Sequence, residues 1–142
     1  MILLRHIGMT VSDLDKILPF YRDVLGFKIK RAALEKGQFI DKLSSLKKVK
    51  VKTVKLADAN GNLIELLCYQ SHPCKAKKIM ICEAGYTHIA LTVSNLDREY
   101  KRLLKKGIKF NWQPQVSPDA KAKVVFCRDP EGNLIELVEE IK

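Results

Sequence analysis

The stretch His6-Ile-Gly-Met-Thr-Val-Ser-Asp-Leu-Asp15 returns 82 residues later as His88-Ile-Ala-Leu-Thr-Val-Ser-Asn-Leu-Asp97. A second repeat closes each copy, because the hexapeptide Gly61-Asn-Leu-Ile-Glu-Leu66 is identical to Gly132-Asn-Leu-Ile-Glu-Leu137. Two matched segments in the same order indicate an internal duplication, and such repeats mark copies of one structural unit. The chain is therefore predicted to contain two copies of a single module.

Within each module the spacing of apolar residues predicts a strand, a helix and three further strands. The predicted strands are 3–11, 27–33, 49–56 and 63–69 in the first module and 87–93, 108–112, 121–127 and 134–140 in the second. The predicted helices are 14–25 and 96–106, with Ser12 and Ser94 as expected starts. Pro19 suits a helix only near its first turns.

The two βαβββ modules are expected to combine, because one module cannot cover both faces of its own sheet. We predict a single α+β domain over 1–142, in which a curved sheet of about eight strands surrounds a metal-containing cleft. Module one is 1–70, the linker is 71–86, and module two is 87–142.

The first module is longer than the second. Glu65 follows His6 by 59 positions and Glu136 follows His88 by 48, so the first module carries 11 additional residues, around 34–48. Within them Phe39, Ile40, Leu43 and Leu46 have helical spacing and predict a short amphipathic helix. This helix is expected to cover the cleft or pack on a second subunit, with Phe39 toward the substrate, or else to fill the core.

The composition indicates a folded protein without a membrane partner. Hydrophobic residues make up 46% of the 142 positions, which is enough for a core. No apolar run approaches the roughly 20 residues that span a membrane, and the first residues do not have a signal-peptide layout, so a cytoplasmic location is expected.

The net charge of +10 raises the question of nucleic-acid binding. Much of it lies in lysine runs at 47–48, 75–78 and 101–106, where solvated surfaces are expected, and only 7% of the residues are aromatic. Nucleic acid is therefore not an expected partner. The same charge would attract a small anionic substrate.

Histidine and glutamate occupy equivalent positions in the two modules. His6 and His88 lie on the first strands, and Glu65 and Glu136 lie on the last strands. Alone, each would be interpreted as a structural residue, but two imidazoles and two carboxylates related by the repeat predict one divalent metal site, for Zn, Ni, Co, Mn or Fe. A carboxylate among leucines is also costly to bury without a cation. His72 lies outside the repeat and is expected in a loop.

Three segments carry a family resemblance: Phe20-Tyr-Arg-Asp-Val-Leu-Gly-Phe27, Thr87-His-Ile-Ala-Leu91 and Arg128-Asp-Pro-Glu-Gly-Asn-Leu-Ile-Glu-Leu137. They resemble the vicinal oxygen chelate superfamily, which includes glyoxalase I, methylmalonyl-CoA epimerase, extradiol dioxygenases and the fosfomycin and bleomycin resistance proteins. The resemblance covers nearly the whole chain, and the ligand set His-Glu-His-Glu is closest to that of glyoxalase I.

This resemblance implies a metal-dependent lyase or isomerase of the glyoxalase type, which moves a proton next to a carbonyl through a metal-bound enediolate. Glu136 and Glu65 would then be the catalytic bases, and a homodimer is expected. The alternatives are an acyl-CoA epimerase, an Fe(II) dioxygenase or thiol transferase of the same superfamily, or a ligand-binding protein without catalysis. The native metal, and whether the site lies within one chain or between two, stay open.

Three positions depart from the pattern of glutathione-dependent glyoxalase I and leave the substrate open. Those sequences typically have arginine, asparagine and arginine where this chain has Thr10, Tyr69 and Ala84. Two cationic partners for the carboxylates of glutathione are therefore missing, and another thiol adduct, an acyl-CoA or a small oxo acid fits as well as a glutathione adduct. The candidate pocket residues are Thr10, Phe39, Tyr69 and Tyr86.

Overall fold

The computed structural model describes residues 1–142, which form two compact units, Met1–Ala76 and Lys77–Lys142. The division falls inside the predicted linker. Each unit has the order strand, helix and three strands, so the duplicated βαβββ module is confirmed. The eight strands form two four-stranded sheets, one in each unit.

The first unit orders its strands β1-β4-β3-β2. These are β1 (Ile7–Thr10), β2 (Lys28–Lys36), β3 (Lys50–Ala57) and β4 (Leu63–Tyr69). β1 runs parallel to β4, and the other neighbours are antiparallel. The helix α1 (Leu14–Pro19) continues into a π-helical turn, Phe20–Val24, which brings Tyr21 into the core with no exposed surface.

The second unit repeats this arrangement with the order β5-β8-β7-β6. Its elements are β5 (His88–Thr92), α3 (Leu96–Lys105), β6 (Gln115–Val116), β7 (Ala122–Arg128) and β8 (Leu134–Glu140). α3 buries Leu96 and Leu103, and the backbone N–H of Leu96 donates to the Glu139 carboxylate at 2.6 Å.

The first predicted strand is too long. β1 begins at Ile7, and residues 1–5 are exposed and outside any strand. β1 pairs with β4 in parallel register, Ile7 opposite Ile64, and β4 itself begins at Leu63. The residues before His6 therefore have no partner strand to pair with.

Pro19 marks the change from α1 to the π-helical turn. Pro19 is the last residue of α1 and lies in the middle of the helical segment. Proline lacks an N–H and crowds the carbonyl four residues earlier. The wider π turn follows at once, with the Leu25 N–H donating to the Phe20 carbonyl at 3.0 Å.

The predicted strand 108–112 is also wrong, because the edge strand of the second sheet is only β6. Phe110 makes a single bridge to Cys127, and its ring packs against Tyr100 with centroids 4.6 Å apart. Pro114 has no N–H to donate to a strand ladder. The chain therefore reaches β7 as an irregular segment with a two-residue strand.

The additional residues of the first module form the predicted short helix, α2 (Gln38–Ser44). Ile40 is buried in a cluster with Val49 and Val51, and Tyr69 packs against this cluster. Phe39 is not part of this cluster and is 75% exposed. The helix thus fills part of the core through Ile40, and the suggested role of Phe39 toward substrate stays a prediction.

None of the helices is long and apolar enough to cross a membrane. The lysine runs at 47–48 and 75–78 are exposed, as their sequence predicted. The four cysteines are free thiols, of which Cys127 is buried and Cys74 and Cys82 are exposed.

Candidate metal centre

The first unit brings His6 and Glu65 together, with His6 Nε2 2.9 Å from Glu65 Oε2. The register explains this contact. Gly8 lies opposite Glu65 in the parallel pair of β1 and β4, and His6 precedes Gly8 by two residues and so shares its face. The strand pair therefore places the imidazole beside the carboxylate.

The second unit builds the same pair from the same register. His88 Nε2 lies 3.2 Å from Glu136 Oε2, and Ala90, two residues after His88, lies opposite Glu136. The duplicated sequence thus produces a duplicated His–Glu contact, and each unit contributes two candidate ligands.

The spacing of each pair fits two neighbouring ligands of one metal ion. Ligand atoms about 2.1 Å from an ion, at angles of about 90° to 110°, are about 3.0 to 3.4 Å apart. The same distance also suits a direct contact between an imidazole and a carboxylate, which is what the structure contains in each unit. Neither unit contains a group of three or more His, Cys, Asp or Glu donors.

The second ring nitrogens of the two histidines differ. His88 Nδ1 lies 2.9 Å from the Thr87 hydroxyl, whereas His6 Nδ1 is buried without a hydrogen-bond partner. A histidine ligand usually has its second nitrogen bonded to an acceptor, which fixes the ring. A hydrogen-bonding group therefore helps to orient the His88 ring for metal binding, whereas the His6 ring has no such group at Nδ1.

The two carboxylates have different surroundings. The side chain of Glu65 is 11% exposed and is approached by Lys55, whose Nζ lies 3.5 Å from Oε1. The side chain of Glu136 is 22% exposed and contacts only His88 among charged or ionisable groups. Phe126 lies opposite Glu136. Its ring packs edge-on against that of His88, with the ring centroids 5.3 Å apart.

Sequence reasoning missed Lys55. Its signal was present, because β3 and β4 form a hairpin around the Asn60-Gly61 turn, so residues equally far from position 60 lie opposite one another. Lys55 and Glu65 are such a pair in the observed register.

The pocket candidates are dispersed over the fold. Thr10 is exposed on β1, two residues after Gly8, and Tyr69 is half-buried against the Ile40 cluster. Tyr86 is fully exposed and lies outside any strand, as does Ala84. The structure thus packs Tyr69 against the cluster that contains Ile40 of α2, and leaves Phe39 and Tyr86 largely exposed.

A family model described as the Glyoxalase/Bleomycin resistance protein/Dioxygenase superfamily matches residues 3–137, and the chain belongs to this superfamily. A probable lactoylglutathione lyase of Synechocystis is 28% identical over 137 residues, covering 96% of this chain and 94% of the relative.

Solved structures confirm the fold. A glyoxalase family protein from Bacillus cereus matches with a TM-score of 0.89 and 23% identity, over 100% of this chain and 96% of that one. The fosfomycin resistance protein FosX from Listeria monocytogenes, solved with Mn(II) and sulfate, matches with a TM-score of 0.66 and 20% identity, over 99% and 95% of the two chains. The vicinal oxygen chelate fold expected from the sequence motifs is therefore correct.

Proposed function

We propose that the protein is a metal-dependent lyase or isomerase that moves a proton between carbons next to a carbonyl. In this proposal one divalent ion, of Zn, Ni, Co, Mn or Fe, is held by His6, His88, Glu65 and Glu136, in a homodimer. The observation that carries the proposal is the His Nε2 to Glu carboxylate contact, made in the same register in both units. The similarity to a probable lactoylglutathione lyase supports the lyase class.

The two imidazoles are neutral donors that would hold the ion through Nε2. A divalent ion, when bound, stabilises negative charge on a substrate oxygen as the neighbouring C–H bond is broken. The proton needs a carboxylate that takes it from one carbon and returns it to the next.

Glu136 is the better candidate for this base. A base must turn toward the substrate, and Glu136 can do so by giving up its contact with His88 alone. Glu65 would have to leave both His6 and Lys55, and its side chain is half as exposed. We therefore assign proton transfer to Glu136 and a mainly ligating role to Glu65, which remains the second candidate base.

Deuterium exchange tests this assignment. The metal-loaded protein is incubated in D2O with the methylglyoxal–glutathione hemithioacetal, a 2-methyl-branched acyl-CoA and small 2-oxo acids, and proton NMR follows the carbon-bound proton next to the carbonyl. Glu136→Gln is expected to keep bound metal and to slow exchange by about 100-fold or more, because general acid–base catalysis contributes that much. Glu140→Gln, an exposed glutamate on the same strand, should exchange like the unaltered protein.

Exchange that survives in Glu136→Gln would remove Glu136 as the base. Failure of the unaltered, metal-loaded protein to exchange any of these compounds would contradict the lyase or isomerase proposal. Oxygen uptake that depends on Fe(II) would favour the dioxygenase alternative instead.

A further inference from the structure

A row of charged residues crosses the first sheet at the level of the His–Glu pair. Arg31 on β2 lies opposite Lys55 on β3, and Lys55 lies opposite Glu65 on β4. Directly opposed residues of antiparallel strands share a face. Two cationic residues therefore follow Glu65 in a line across the face that also carries His6.

Lys55 has hydrogen-bonding capacity to spare. Its ammonium group has three N–H donors, and its contact with Glu65 is long, at 3.5 Å. The Lys55 side chain is 27% exposed, so water reaches it only in part. A half-buried ammonium group with unused donors is suited to bind an anion.

The second module has no such group. Phe126 takes the position opposite Glu136. The edge strand β6 pairs only with Val124 and Lys123, so no residue of β6 lies opposite Phe126 as Arg31 lies opposite Lys55. The modules thus share the His–Glu pair but differ in the residue beside the glutamate, so positive charge is available on the side of Glu65 and an apolar ring on the side of Glu136.

We propose that Lys55, supported by Arg31, binds the carboxylate of a small oxo acid beside the metal ligands. This inference rests on the proposed function and names its substrate class. An anion bound to Lys55 would lie next to the Glu65 carboxylate, because Lys55 Nζ is within 3.5 Å of it. In a 2-oxo acid the carboxylate and the oxo group are on adjacent carbons, so anchoring the first brings the second to the His6 and Glu65 pair.

Binding of pyruvate, with hydroxyacetone as an uncharged control, tests the proposal. Chemical shifts of 15N-labelled protein report the dissociation constant in both the metal-free and the metal-loaded protein, and dye competition measures the metal affinity separately. Lys55→Met is expected to weaken pyruvate binding by about tenfold or more, since a hydrogen bond to a charged group contributes that much. Hydroxyacetone binding should not change.

Two further variants make the result specific. Lys52→Met changes an exposed lysine of the same strand whose position alternates to the other face, and it should bind pyruvate normally. Lys55→Arg keeps the positive charge and should retain most of the binding.

The proposal is overturned if unaltered protein does not bind pyruvate, if Lys55→Met binds it as tightly as unaltered protein, or if Lys52→Met loses binding equally. If Lys55→Met does not fold, Lys55→Gln takes its place with the same expected loss. A protein that binds no metal would contradict the proposed function, while the measurement on metal-free protein still decides the role of Lys55.

Discussion

Glu65 and Glu136 occupy equivalent positions of the duplicated sequence but have different neighbours. Glu65 is buried, and its burial is compensated by the imidazole of His6 and the ammonium of Lys55. A carboxylate buried without such partners would be strongly destabilising. At Glu65, therefore, a lysine already supplies a cation, whereas at Glu136 His88 is the only partner able to carry positive charge.

At the same scale, Cys127 is expected to resist alkylation. Burial, together with the nearby charge of Asp129, raises the pKa of the Cys127 thiol to about 12, so almost no thiolate forms near neutral pH. Iodoacetamide at pH 8 should modify the exposed Cys74 and Cys82 in the folded protein and reach Cys127 only after unfolding in urea. Peptide mass spectrometry measures this, and modification of Cys127 at the rate of Cys74 in the folded state would contradict it.

The strands that carry Glu65 and Glu136 each begin after a turn with the same hydrogen-bond pattern. The Asp58 carboxylate accepts hydrogen bonds from the backbone N–H groups of Asn60 and Asn62 and from the Asn62 side chain, at 2.8 to 2.9 Å. Asp129 makes the same three bonds in the second unit. Gly61 and Gly132 have φ values of 86° and 91°, a left-handed conformation that favours glycine. The repeated Gly-Asn thus fixes the start of the strands that carry Glu65 and Glu136.

The Asp58 turn makes stability depend on pH. Burial alone would raise the pKa of Asp58, but hydrogen bonds from Asn62, Asn60 and Gly61 outweigh it and hold the pKa below its ordinary value. A carboxylate with a lowered folded-state pKa stabilises the protein above its unfolded pKa, and this contribution is lost as the pH falls through the folded pKa. Asp58→Asn should therefore show a smaller loss of unfolding free energy below about pH 4 than the unaltered protein.

Urea denaturation at pH 7 and at several acidic pH values measures this difference. Glu140→Gln, which removes an exposed carboxylate at the end of β8, is the control and should keep the pH dependence of the unaltered protein. An identical pH dependence in Asp58→Asn would show that the turn carboxylate does not contribute.

The strands that follow the repeated turns were predicted to the residue, since β4 and β8 have the expected bounds. Their ends are set by local turn chemistry, which sequence contains. The bounds of β1 and β6 depend on whether a neighbouring strand reaches them, and the π turn after Pro19 depends on how the helix packs. These are tertiary effects that apolar spacing does not record.

The sequence repeat predicted some residues of the candidate site and not others. Repeat alignment selects His6, His88, Glu65 and Glu136 as candidate ligands, and the structure places them in two His–Glu contacts at 2.9 and 3.2 Å. Their binding of one metal ion stays a prediction. Lys55 and Phe126 are not related by sequence similarity, so the repeat gives no signal for them. The hairpin turns do predict these pairs, because residues equally far from the turn lie opposite one another, as Lys55 and Glu65 do in the first unit and Phe126 and Glu136 in the second.

At the scale of the whole molecule, the proposed function requires one metal ion to be bound by both His–Glu pairs. Each pair offers only two protein ligands, whereas a zinc-type site normally takes three or four from the protein. If the pairs bound metal independently, each would hold its ion weakly and the loss of one histidine would leave the other pair unaffected. If they share an ion, either histidine is needed for the same binding event.

The most direct test compares the metal content and metal affinity of His6→Ala, His88→Ala and His72→Ala. Mass spectrometry measures the metal content, and dye competition measures the affinity. His72 lies outside the repeat, and its ring nitrogen is 2.9 Å from the Ser71 hydroxyl. Because it is not one of the four proposed ligands, its loss should leave metal binding unchanged. We expect one divalent ion per chain in the unaltered protein and in His72→Ala, with affinity reduced by about 100-fold or more in both His6→Ala and His88→Ala. Two ions per chain, or tight binding retained when either His6 or His88 is removed, would contradict this expectation.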